Sequence, residues 1–113
     1  MTRRILNCLG IPATRSGQQY IEYAVILSKK DRTLLLSITK RLHPLVAEHF
    51  GVSIRSVERN IRYCVKCCWE TGNRELLNEI AGYRLHCCPY AGEFIAMLVD
   101  YETGRDFQRS VNA

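Results

Sequence analysis

The chain has 113 residues, 47% of them hydrophobic and 24% charged, which fits one compact domain with a buried core and leaves no room for a second of ordinary size. No run approaches the ~20 consecutive apolar residues that a bilayer-crossing helix needs, and the start, MTRRILNCLGIPATR, is too polar and too early interrupted by Pro12 for a secretory signal, so a cytoplasmic protein is expected. The net charge of +5 is uneven: residues 1–66 hold 12 Lys and Arg against 4 Asp and Glu, whereas residues 67–113 hold 4 against 7.

In chain order, Gly10 and Pro12 predict an extended or turn-rich start over the first 15 residues. Ser16 is placed to cap a helix over residues 17–29, where Tyr20, Ile21, Ala24, Val25, Leu27 and Ser28 recur at helical spacing. Asp31 is placed to cap a short helix over residues 32–37 carrying Leu34, Leu35 and Leu36. A third helical pattern runs over residues 38–50, with Ile38, Leu42, Leu45, Val46, Ala47 and Phe50 apolar. Pro44 lacks an amide proton, so this helix either kinks there or restarts with Pro44 in its first turn. Gly51 is suited to end it in the left-handed conformation, and Ser53 to cap the next helix, which runs to about Trp69 and stops near Thr71-Gly72-Asn73. A fifth helix over residues 74–81 is bounded by Gly82. Residues 83–92 read as a loop with a brief extended stretch at 83–86, and residues 93–101 as a last apolar helix, with a fraying polar tail after Thr103-Gly104. There is no internal repeat. The expectation is an all-α fold of about six helices in one compact bundle, with a core over residues 5–101 and a tail over 102–113.

Six cysteines, Cys8, Cys64, Cys67, Cys68, Cys87 and Cys88, admit three readings. Disulfides are disfavoured without an export signal. A zinc site from Cys64-x-x-Cys67 and Cys87-Cys88 is disfavoured because Cys64 and Cys67 lie inside a helical pattern rather than on a turn. Buried thiols on a helix's inner face fit best, and no metal or cofactor is expected.

The segment PLVAEHFGVSIRSVERNIRYCVKCCW, residues 44–69, carries the chemistry. In its second helix Ile54, Val57, Ile61, Cys64, Val65 and Cys68 form one apolar stripe that must face the core, which leaves Arg55, Glu58, Arg59, Arg62 and Lys66 together on the opposite side. Ala47 precedes Gly51 by four residues and Val57 by ten, the spacing of a helix-turn-helix: a small residue for close approach, a glycine for the turn and an apolar anchor. An ordinary helical hairpin with a basic exposed side is the plainer alternative. A polyanion-binding face also accounts for the basic first half, as an unevenly solvated surface would too.

Side-chain chemistry then assigns roles. Arg donates two parallel hydrogen bonds to guanine O6 and N7, and Glu accepts from the cytosine amino group. Arg59 and Arg62 are therefore expected on guanines and Glu58 on a cytosine, although Glu58 and Arg62 are also spaced for a surface ion pair. Ser53, Arg55, Ser56 and Lys66, with Lys40 and Arg41 beside the groove, are expected on DNA phosphates.

SITKRLHPLVAEHF, SVERNIRYCVKCCWETGN and GEFIAMLVD, together with LGIPATRSGQQYIEYAV, resemble the C-terminal effector domain of the stage-zero sporulation response regulator over roughly residues 5–100. The resemblance implies a six-helix bundle containing a helix-turn-helix of the winged-helix-like, response-regulator effector type. It also implies promoter binding as a transcription factor, with Glu58, Arg59 and Arg62 where the family reads bases. Ser56 departs from the family's usual Arg, while Arg55 lies one position earlier. This turns a charge by ~100° about the helix axis and points to a different recognised sequence. The loop before Glu93 is shorter than the family's, and Gly92 stands where a better helix cap is usual. The family's last helix contributes dimer contacts on tandem sites, so the implied partners are double-stranded DNA and a second copy of the chain. The family also carries a receiver domain in front, whereas Met1 here opens almost directly onto the effector domain, so a complete chain of this kind is not switched by phosphoaspartate.

Two other function classes remain. Catalysis is disfavoured because His43, His49 and His86 are scattered, with no nucleophile–base spacing and no phosphate-binding glycine loop. A protein-interaction module that pairs with or titrates a full-length regulator is the alternative to a DNA reader.

Overall fold

The computed structural model describes residues 1–104. Helices α1 (Thr2–Cys8) and α2 (Ser16–Lys30) lead into a 3-10 turn at Arg32–Leu36 and a π turn at Ile38–Leu42. Helices α3 (His43–Phe50), α4 (Ile54–Thr71), α5 (Arg74–Ala81) and α6 (Ala91–Thr103) follow, and no strand occurs among the described residues. The fold is an all-α bundle of six helices, as expected, although α1 takes the place in the count of the short helix expected over residues 32–37, which is a 3-10 turn. The expected tail beyond Gly104 lies outside the described residues.

The first 15 residues depart from expectation, because residues 2–8 are helical. Gly10 and Pro12 act only as the helix's stop. Leu6, Leu9 and Ile11 are fully buried, so tertiary burial stabilises a segment too short to be helical alone. At the other end of the chain, the Thr2 hydroxyl donates to Glu102 at 2.7 Å and Lys29 Nζ bridges to the same carboxylate at 2.5 Å. These contacts tie α1 and α2 to α6. The Glu102 carboxylate is enclosed by these two partners.

Helix α2 is the central element, packed against α1, α3, α4 and α6. Its buried face is Gly17, Tyr20, Ile21, Ala24, Val25 and Ser28. Ser16 does not cap it: Arg15 occupies that position without a side-chain bond, and Ser16 is the first helical residue. Gln18 instead secures this end, its buried amide donating to Asn7 Oδ1 at 2.6 Å and the Ile11 carbonyl at 2.8 Å. Gly17 permits a very close approach of α2 to α4. A Cβ there would stand 2.4 Å from Cys64 Sγ and 2.5 Å from the Asn60 carbonyl oxygen, so α2 and α4 meet almost backbone to backbone.

Asp31 caps the 3-10 turn as expected, accepting from the Thr33 amide at 3.0 Å. The Thr33 hydroxyl and amide, helped by Arg41, hold the Asp31 carboxyl below its ordinary range. Pro44 falls in the first turn of α3, so the restart reading is the one adopted. Residues 83–86 form no strand, and the Leu85 amide instead bonds Asn78 Oδ1 at 2.9 Å. Helix α6 begins at Ala91, two residues before the expected start. Gly92 is thus inside its first turn, and Glu93 Oε1 accepts from the Tyr90 amide at 3.0 Å. That cap by the Glu93 side chain is what the sequence reading missed.

Candidate nucleic-acid interface

The site is built on the α3–turn–α4 unit. Gly51 takes φ 67°, ψ 37°, the left-handed conformation that other residues adopt only at a cost. The Val52 amide bonds the Ala47 carbonyl at 3.0 Å and the Gly51 amide bonds that of Glu48 at 3.3 Å. This paired closure satisfies the last carbonyls of α3 and fixes the angle at which the chain leaves it. Ser53 Oγ then accepts from the Ser56 amide at 3.0 Å, capping α4 and leaving its own hydroxyl proton to donate elsewhere.

Within α4, Val57, Ile61, Cys64, Val65 and Cys68 are buried against α2, α3 and α6. Ile54 is the exception to the predicted stripe: 42% exposed, it is the first residue of the helix, and coverage begins one turn later at Val57. Burial raises the Cys64 and Cys68 thiols to about 11, so both stay protonated at neutral pH. All six cysteines are free thiols, with Cys8 and Cys87 exposed.

The opposite face is solvent-facing. At 100° per residue, Arg55, Arg59, Arg62 and Lys66 fall within an arc of about 60°. All four are exposed, and none forms a hydrogen bond or salt bridge with a described residue. The strip has two distinct margins, each roughly 40° beyond the nearest arginine. Glu58 lies on the α3 side, where its Oε1 is 3.7 Å from His43 Nδ1, and it does not form the ion pair that its spacing to Arg62 allowed. Tyr63 lies on the other side, half in solvent, with the Arg15 guanidinium 5.1 Å from its ring centre.

Of the remaining candidates, Ser56 is half-buried and its hydroxyl is within 3.3 Å of Asn60 Nδ2, which also donates to the Ser56 carbonyl at 2.7 Å. Lys40 and Arg41 sit on the π turn leading into α3 rather than on α4. Lys40 is exposed, while Arg41 is occupied by Thr33 Oγ1 at 3.0 Å and Asp31 Oδ2 at 3.4 Å. The structure thus gathers Arg55, Arg59, Arg62 and Lys66 onto one strip. It sets Glu58 at the strip's edge and leaves Ser53 and Ser56 at its start.

Two features were not legible beforehand. His43 is buried and neither ring nitrogen has a hydrogen-bond partner among the described residues. Burial pushes its pKa below 6.5, outweighing the attraction of Glu58, and the nearby charge of Arg62 acts in the same direction as burial. The second is the Arg15–Tyr63 contact, whose only trace in the sequence is the small Gly17 two residues after Arg15.

The family model described as sporulation initiation factor Spo0A C terminal matches residues 2–101. The match runs from the first residue of α1 into the last turn of α6 and so takes in the whole bundle. This is a DNA-binding regulatory family rather than an enzyme family, and no helix among the described residues is long and apolar enough to cross a membrane. With its six helices, its glycine-closed turn and the cationic strip on α4, the chain belongs to the Spo0A C-terminal family of sporulation-regulator DNA-binding effector domains.

Proposed function

We propose that the chain is a sequence-specific transcriptional regulator that reads duplex DNA by laying α4 in the major groove. The observation that carries this reading is the strip of four cations, all exposed and none paired with an acid among the described residues, on a helix whose start is pinned by Gly51 and Ser53. From Arg55 to Lys66 the strip is about 16 Å long, close to five base-pair steps, so it matches the floor of one groove segment. Arg59 and Arg62 at its centre donate in pairs to guanine O6 and N7. Glu58 accepts from a cytosine amino group at the α3 margin, with one oxygen turned to His43. Arg55 and Lys66 at the strip's ends take phosphates, as do Ser53 and Ser56 at the helix start. Lys40 adds a backbone contact from the turn before α3, and Arg41 adds one by leaving Asp31 or by sharing its donors. The protein works in the cytoplasm, and two copies on neighbouring sites supply affinity that one small domain lacks.

Duplex binding across a salt series tests this reading. Affinity is expected to fall steeply as salt rises, because each neutralised phosphate releases counterions. Arg59→Ala or Arg62→Ala is expected to weaken a selected site by ~1–3 kcal/mol without disturbing the fold. Absence of duplex affinity, with co-purification of a full-length regulator, would establish the protein-interaction module instead.

A further inference from the structure

Arg15 belongs to no element that the helix-turn-helix chemistry uses, yet it stands over the recognition helix. It precedes the first turn of α2, and Gly17, two residues on, brings that turn against Asn60 and Cys64 in the middle of α4. The Tyr63 ring holds its guanidinium at 5.1 Å, a cation–π contact that fixes the side chain while leaving its donors in water. Arg15 is exposed and has no carboxylate partner among the described residues. Glu22, the one acid of α2, is already bound to Arg3 at 3.1 Å.

The placement matters because the strip on α4 has margins of opposite chemistry. On the α3 side stand Glu58 and the buried His43. On the α2 side stand Tyr63 and an unneutralised guanidinium. A helix filling a groove roughly 12 Å wide has a phosphate backbone along each rim. We infer that Arg15, oriented by Tyr63, is a phosphodiester contact on the rim next to α2, so that this chain grips both backbones flanking α4. This inference rests on α4 being the groove-reading helix. It assigns Arg15 affinity without base preference, since phosphates carry no sequence information.

The test compares Arg15→Ala, Arg15→Lys, Tyr63→Ala and Arg59→Ala with the parent, using the full chain on a selected duplex and on an unrelated duplex over a salt series. Circular dichroism checks each fold. Arg15→Ala is expected to lose about fivefold in affinity on both duplexes alike, the upper range for an exposed charge pair. The slope of log affinity against log salt is expected to shrink by about one. Arg15→Lys should restore the slope, and Tyr63→Ala should reproduce part of the affinity loss. A merely structural Arg15 would change stability and leave the slope untouched, which would overturn the inference. If Arg15→Ala keeps the parent's slope while Arg59→Ala loses discrimination, the rim contact is wrong and the groove-reading helix stands. If the parent binds neither duplex at low salt, both readings fall.

Discussion

Replacing Gly17 by alanine tests whether the seating of α4 is set from α2. In an unobstructed helix the change would stabilise the protein by up to about 1 kcal/mol, because glycine is the poorer helix former. Here the new Cβ would lie 2.4 Å from Cys64 Sγ and 2.5 Å from the Asn60 carbonyl oxygen, about 1 Å inside ordinary contact in both directions. The thiol can rotate, but the carbonyl belongs to the backbone of α4 and yields only if the helix moves. Overpacking of this kind costs about 1–3 kcal/mol or somewhat more, so the net expectation is a loss of about 1–2 kcal/mol. For a chain of this size that corresponds to a melting temperature lower by very roughly 5 °C. Urea denaturation followed by circular dichroism measures it, with the m-value checked for constancy. Adding Cys64→Ala to Gly17→Ala should recover only the sulfur's share of the loss. A Gly17→Ala protein as stable as the parent, or more so, would refute the close α2–α4 approach.

Two further outcomes follow from buried titratable groups. Burial holds the His43 pKa below 6.5, so the folded protein binds this proton less readily than the unfolded chain. Stability should therefore be complete above 6.5 and decline as pH falls from there toward the depressed folded value, with His43→Leu flattening that slope in urea midpoints. A midpoint that rises on acidification through this window would contradict the assignment. In native protein, a thiol reagent at neutral pH should modify the exposed Cys8 and Cys87 rapidly. Cys64 and Cys68, protonated and buried, should react only after denaturation; rapid modification of all six in the native state would place these two outside the core.

What the sequence revealed follows from how local each signal is. Gly51, Ser53 and Pro44 act on their own turn of backbone, so the boundaries of α3 and α4 can be read from neighbouring residues. The alternation of apolar residues with Arg55, Arg59, Arg62 and Lys66 is a property of one helix, and the strip is readable for the same reason. Helix α1 was not, because its stability comes from burying Leu6 and Leu9 once α1 packs on α2 and the Asn73 amide bonds the Leu9 carbonyl. Similarly, Ile54 fits the apolar period but lies beyond the region that other helices cover. Glu58 turns to His43 because α3 crosses there, and no spacing within α4 announces that crossing. Arg15 meets Tyr63, 48 positions further along the chain, through the α2–α4 approach, a contact that depends on the assembled bundle.

The central claim is that guanidinium groups on α4 read base edges. Enriching bound sequences from a random duplex library, with the parent, Arg59→Ala and Arg62→Ala in parallel, tests it most directly. The parent should yield a defined motif containing guanines, and each variant should lose the preference at one guanine position while keeping the rest. Identical motifs from all three proteins would contradict the account, because Arg59 and Arg62 would then contribute charge and no sequence reading.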